Sequence, residues 1–442
     1  MTVPQPMSYP SPARHLTGVA FALLAALLLL MTLHWRVPMM LWDHLDLVPI
    51  YAAWKDGTLG DSIFLRIHGG HIHTAAYAVL LATTELSHGR TWADCLASWL
   101  LLVSYAAIVF GFARASFDVS TRRGIAFMLL ATLLALCPGH LSNLQWGWQV
   151  AVFLCLLGSV ATIHLLTREA LPAWRCVAAI AAGLLALASF ATALALIPTS
   201  IALLALRTDF TIAKRIIAML PWLVVGAAIA CFYPAAPASS AVASPASLLL
   251  YTLNFLGGGL VRFAEPLAPW LAALGLASGF AAAVSTRSRL NALPWLGLFL
   301  FGAIAAAMTA LGRAAAFGTD HAFVTRYVSF SSMFWLGWIG LAGCALRDRV
   351  PLPALARAGL WIVAVLVVAN SLHLMHKAAG VAGKTRAIAA IVRSDYPRIN
   401  RALLGEIYFD QPDVAAKRLS ALHALGFAPF DGPPVPSVAA ER

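Results

Sequence analysis

The chain has 442 residues, 61% of them hydrophobic and only 11% charged, with a formal net charge of +12. Soluble domains carry about 25% charged residues, so an ordinary soluble domain is excluded. Many apolar runs approach the ~20 residues that cross a bilayer, and in lipid such runs must be helices that pair their own backbone groups. The composition predicts an all-α polytopic membrane protein.

The N-terminal stretch "MTVPQPMSYPSPARHLTG" is rich in Pro and Ser. The apolar run 16–33 that follows is too long for a signal-peptide core and has no small-x-small cleavage site, so an uncleaved first span is expected. Eleven spans are predicted, at about 16–34, 95–113, 124–137, 146–166, 174–189, 193–206, 215–233, 266–285, 291–312, 326–346 and 357–375. Only "SFAT" separates 174–189 from 193–206, so this pair reads as half-helices or a tight hairpin. Two further apolar runs, 71–86 and 246–263, fit helices lying in the membrane interface. The first outer loop then spans about 35–94. The chain divides into a membrane domain, 1–375, and a small outer region, 376–442.

Charge sets the expected orientation. The loops "RASFDVSTRR", "TREALPAWR", "RTDFTIAKR", "TRSR" and "RDRVPLPALAR" hold thirteen Arg and Lys, whereas the opposite short loops hold only Arg262, Arg313 and Arg326. The positive-inside rule puts the N-terminus in the cytoplasm and the segment after residue 376 outside. The same distribution explains the net charge without nucleic acid. The six cysteines (95, 137, 155, 176, 231, 344) lie in or beside apolar runs without metal-ligand spacing. No Walker loop, Rossmann glycine pattern, nucleophile elbow or HExxH is present, and no cofactor is expected.

Just past the first span stands "WDHLDLVPIYAAWKDGTLG", with Asp43 and Asp46 spaced to share one helix face. Carboxylates near a membrane are costly unless wet or paired. Two neighbouring acids also push each other's pKa values apart, leaving one as base and the other as acid or orienter. The alternative is that both solvate a helix end. The order of apolar span, Trp-Asp, short amphipathic helix, "KDG" and second interfacial helix resembles the first outer loop of the GT-C fold of polyprenyl-phosphate-sugar-dependent glycosyltransferases. The similarity is to the group of protein O-mannosyltransferases and aminoarabinose transferases. It covers the first ~115 residues by order, and the rest by span count and an outer tail. In that group an acid after the first span acts as base or acceptor-binding residue, with a Gly about fifteen residues later. Asp43 and Gly57 hold those positions here. The paired-acid pattern is broken by His44, and Asp46 is expected to serve as the partner.

The resemblance implies a polyprenyl-phosphate-linked sugar as donor and a cell-envelope molecule as acceptor. Such chemistry needs a base for the acceptor hydroxyl and cations for the leaving phosphate. Arg313, Arg326 and Tyr327 in "RAAAFGTDHAFVTRYVSF" are the expected phosphate-binding residues, with headgroup snorkelling as the alternative for the arginines. Arg262 beside Glu265 reads as a local ion pair. "HGGHIH" supplies His68, His71 and His73 as substrate-binding candidates. A divalent metal there lacks a neighbouring carboxylate to complete a ligand set, and the resemblance leaves metal use open. Gln145 and Trp148 in "HLSNLQWGWQ" suit a sugar site or an interfacial aromatic belt. Ser189, Thr192 and Thr199 read as helix-packing residues. A lipid or polysaccharide transporter, or a non-catalytic member of the fold, are the competing readings. A transporter requires ionisable groups deep within the spans, whereas polar residues here gather at span ends.

Overall fold

The computed structural model describes residues 12–60, 63, 67–232, 242–286, 289–347 and 354–431. The N-terminal Pro- and Ser-rich stretch, part of the 234–265 loop and the "DGPPVPSVAAER" end after Asp431 lie outside them. The described chain is a multi-pass, all-α membrane protein. Helix α1 (Pro12–Trp35) leads through a 3-10 turn at Trp42–Asp46 into α2 (Leu47–Lys55). A two-stranded hairpin, β1 (Ile67–His68) and β2 (His71–Ile72), precedes α3 (Thr74–Ser87). The bundle continues with α4 (Trp92–Ser116), α5 (Arg122–Ala135), the short α6 (Leu141–Leu144), α7 (Val150–Thr167), α8 (Ala173–Leu187), α9 (Leu196–Ala205) and α10 (Ile212–Phe232). It is completed by α11 (Pro245–Val261), α12 (Ala268–Ser285), α13 (Arg289–Phe317), α14 (Val328–Leu346) and α15 (Ala354–Asp395), followed by α16 (Arg401–Ile407) and α17 (Pro412–Ala424).

Among the described residues, nine helical segments are long and apolar enough to cross a membrane. They match nine of the eleven expected spans. The other two are α8, with 15 residues, and α9, with 10, joined by a turn at 188–195. At 1.5 Å per residue, α8 reaches about 22 Å, short of the ~30 Å hydrocarbon core. Helix α8 packs on α7 and α9 on α10, and the turn between them meets the first loop: Ala188 O accepts from Ala75 N at 3.0 Å.

Burial orders the helices. Only 6% of the apolar window of α10 is buried, against 83% for the segment containing α14, so α10 faces the surroundings and α14 is central. Ile212, Ile217, Val224 and Phe232 of α10 present a bare apolar surface that only lipid satisfies. Between α13 and α14 the packing depends on the absence of side-chain atoms. A Cβ at Gly340 would stand 1.8 Å from the Trp295 ring, so the ring lies directly on the α14 backbone.

The two ends of the bundle differ. At one, the basic loops are stitched together. The fully buried Arg207 guanidinium donates to Leu166 O, Arg168 O and Glu169 O and pairs with Asp209, while Arg123 donates to Leu346 O. At the other, the first loop is covered by the C-terminal segment. The boundary expected at 375/376 falls inside α15, which runs 42 residues without a break. That is about 63 Å, twice a hydrocarbon core, so the helix lifts α16 and α17 over the first loop. Trp42 Nε1 donates to Glu406 O at 3.1 Å, and the Phe427 ring lies 5.1 Å from that of Tyr51. The 246–263 run also differs from a surface helix. The second half of α11 is buried in the bundle, where Trp335 Nε1 donates to Leu256 O and Asn370 Nδ2 to Gly259 O, both at 2.8 Å.

Overpacking a close helix contact costs about 1–3 kcal/mol. Gly340→Val is therefore expected to lower the thermal midpoint of detergent-extracted protein by several degrees. Gly359→Ala, where a Cβ meets nothing within 4 Å, is expected to leave it unchanged.

Candidate functional site

The site begins with the break after α1. The 3-10 turn Trp42–Asp46 staggers its side chains, sending Asp43 and Asp46 to one side and His44 to the other. Asp43 Oδ1 lies 2.9 Å from His68 Nε2, and Asp46 Oδ2 lies 3.6 Å from His68 Nδ1. One imidazole thus bridges both carboxylates. The three side chains are 15–25% exposed, open enough for a ligand to reach them. Asp46 Oδ1 also accepts from Tyr408 Oη at 2.8 Å and from Arg418 at 3.4 Å, both brought by the C-terminal segment. Burial, then the hydrogen bond to Asp46, push the Tyr408 phenol up to about 12, so it stays a donor.

His44 does not replace a second acid beside Asp43. Its ring is completely buried, 6.1 Å from Trp148 and with Nε2 3.7 Å from Asp94 Oδ2, and neither ring nitrogen has a hydrogen-bond partner. Burial lowers its pKa to about 3 against the opposing pull of Asp43. Asp46, not His44, shares His68 with Asp43.

The hairpin brings the other histidines. His68, His71 and His73 form a stack: the His68 and His73 ring centres lie 5.7 Å apart, and those of His71 and His73 5.8 Å. Trp148 closes one side, 4.8 Å from His68 and 5.4 Å from His73, and Phe190 in the turn between α8 and α9 lies 4.0 Å from His71. Burial, then repulsion from His73, Arg313 and Arg326, holds His71 well below the usual histidine range. Burial, then repulsion from His68, lowers His73 to about 4. Both rings are neutral at pH 7, with His71 Nδ1 accepting from Ala191 N at 3.3 Å.

Arg313 and Arg326 stand behind this stack. Arg313 Nη2 donates to Gly69 O at 2.9 Å, fixing the hairpin turn. Arg326 lies over the Tyr327 ring at 5.9 Å, and its carbonyl accepts from Asn143 at 2.9 Å. Neither guanidinium has a carboxylate partner among the described residues. Tyr327 is buried and turned to Phe255, 4.9 Å away, and to His321 at 5.8 Å. His321 was not among the expected site residues. Its Nδ1 lies 3.0 Å from Tyr251 Oη, and burial with repulsion from Arg326 and Arg313 lowers it to about 4. Arg262 is buried and its pairing with Glu265 is loose, at 3.8 Å.

Gln145 is not brought to the site. It is buried against α15 and the end of α1, where its amide, in the orientation that satisfies it, donates to Ala378 O and Trp35 O. Gly57 ends α2 in a left-handed turn (φ +67°) with the helix-stop bonds Gly57 N to Trp54 O and Thr58 N to Ala53 O. Its spacing from Asp43 therefore has a purely local reason. A metal ligand set is also closer to complete than the local sequence indicates. Asp43, Asp46 and His68 each offer one ligand atom, all within 4.8 Å of one another. A divalent cation held by three such groups keeps open positions for water or phosphate. A cavity of about 450 Å³ at this end of the bundle shares no lining residue with the cluster.

No protein-family model matches this chain, and no curated protein does.

Unfolded histidines take up protons as pH falls through about 6.5. The buried rings resist until about 4 for His73 and about 3 for His44. Below 6.5 the unfolded state binds more protons, so their contribution to stability, intact above that pH, is lost downward through this window. The thermal midpoint is expected to be flat from pH 8 to 7 and to fall by several degrees by pH 5. In His73→Gln the fall is shallower.

Proposed function

We propose that the chain is a membrane glycosyltransferase of the GT-C kind. It would move a sugar from a polyprenyl-phosphate donor to a cell-envelope acceptor at the outer face of a bacterial inner membrane. The observation that carries this reading is the pairing of Asp43 and Asp46 through His68 beside a hairpin whose turn is held by Arg313. The basic end of the bundle then faces the cytoplasm by the positive-inside rule, and the covered first loop faces outward.

In this reading Asp43 accepts the proton of the acceptor hydroxyl as its oxygen bonds to the anomeric carbon. The bond from that carbon to the phosphate oxygen breaks, and its electron pair leaves with the lipid phosphate. Arg313 and Arg326, free of carboxylates among the described residues, compensate the phosphate charge. His68 and Asp46 orient Asp43, and Tyr408 and Arg418 orient Asp46. His71, His73 and Trp148 offer neutral ring faces and edges to the sugar.

The test is turnover of lipid-linked sugars in membranes holding wild type or variants at equal levels. Asp43→Asn is expected to lower turnover by at least about 100-fold, the ordinary scale of a general base. Tyr408→Phe, which removes one bond to a charged group, is expected to lower it roughly tenfold. Wild-type rates in Asp43→Asn would reject the assignment of the base.

A further inference from the structure

The cavity of about 450 Å³ lies apart from the histidine cluster, where the end of α1, the start of α4, the upper part of α15 and the C-terminal segment meet. Arg36, Arg90 and Arg393 line it, with Asp431 as the only carboxylate among the described lining residues. Asp431 is engaged by Arg90, Nε to Oδ2 at 2.8 Å. Arg36 is half-buried and uses one guanidinium nitrogen, Nη1, on Leu33 O at 2.7 Å. Arg393 is exposed and has no acidic partner among the described residues. Three guanidinium groups against one carboxylate leave two positive charges facing one cavity.

Position and size narrow the ligand. Arg36 directly follows the last residue of α1, and Trp92 is the first residue of α4, so both stand where these spans leave the hydrocarbon. Trp prefers that boundary, and lipid phosphates lie there. The volume is in the range of small-molecule sites, about 300–1,000 Å³, and exceeds what a bare ion fills. Planar guanidinium forks match phosphate oxygens in pairs. The wall at Thr91 is fixed, since its hydroxyl donates to Val37 O at 2.6 Å.

We propose that this cavity binds a phosphate ester through Arg36, Arg90 and Arg393, where α1 and α4 meet the C-terminal segment. The ester is supplied by a membrane lipid or by a soluble phosphate compound.

The experiment uses full-length protein in nanodiscs of phosphatidylcholine with a minor share of phosphatidylglycerol. Phosphatidylglycerol retained per protein is counted by native mass spectrometry, and glycerol 3-phosphate is titrated as the soluble probe. Wild type is compared with Arg393→Gln, Arg36→Gln and, at the opposite end, Arg347→Gln. Binding roughly tenfold weaker in Arg393→Gln and Arg36→Gln, with Arg347→Gln unchanged, is expected from the loss of charged hydrogen bonds. Retained phosphatidylglycerol that glycerol 3-phosphate does not displace assigns the lipid; displacement or direct binding of glycerol 3-phosphate assigns the soluble ester. Equal binding of both probes in wild type and in Arg393→Gln overturns the proposal. Arg393 is exposed, so this variant decides even where Arg36→Gln fails to fold.

Discussion

One carboxylate joins three distant parts of the chain. Asp46 lies beside His68 of the hairpin and accepts from Tyr408 and Arg418 of the C-terminal segment, 362 and 372 residues away. An unpaired carboxylate at the edge of a low-dielectric bundle is expensive, so each partner relieves a cost the others leave. The position of Asp43 follows from this joint, because the same imidazole spans both acids. The long α15 is what makes the joint reachable, since a helix ending at the membrane boundary could not set α17 above the first loop.

The histidine stack obeys a different rule. Burying His71 and His73 in front of two arginines is tolerable only if the rings are neutral, and the protein keeps them so by desolvation reinforced by repulsion. Neutral rings can lie face to face, whereas charged ones would repel. The cluster thus separates its functions in space: acids at the open side, neutral aromatic surface in the middle, and cations behind. The shortness of α8 and α9 contributes, because it lets the first loop descend to meet Phe190.

The membrane class and nine long spans were legible because hydrocarbon tolerates few side chains, which makes composition a strong signal. The two-ended charge distribution was legible for the same reason. Asp43 and Asp46 stood out as acids where acids are costly. Their link to His68 did not, because Asp43 and His68 stand 25 positions apart with α2 between them, and no local spacing encodes that pairing. The absence of a carboxylate near "HGGHIH" was true of the sequence and untrue of the fold. Tyr408 and Arg418 were hidden in a tail that reads as an appendage, since Lys377 and Lys384 resemble the polar end of a span while the helix continues. His44 resembled a substituted acid and proved to be a buried ring, because a 3-10 turn sends adjacent side chains to different sides.

Cations at the covered end carry the remaining argument. At the basic end Arg207 is satisfied internally, spending its donors on three carbonyls and Asp209. At the covered end Arg90, Arg401, Arg418 and Lys384 pair with Asp431, Asp413, Asp46 and Glu406, whereas Arg313 and Arg326 beside the histidines and Arg36 and Arg393 at the cavity have no acidic partner among the described residues. A surface that needed cations only for solubility would scatter them and pair them. Two separate groupings, one against neutral rings and one around a cavity, favour two anionic groups held at a fixed separation.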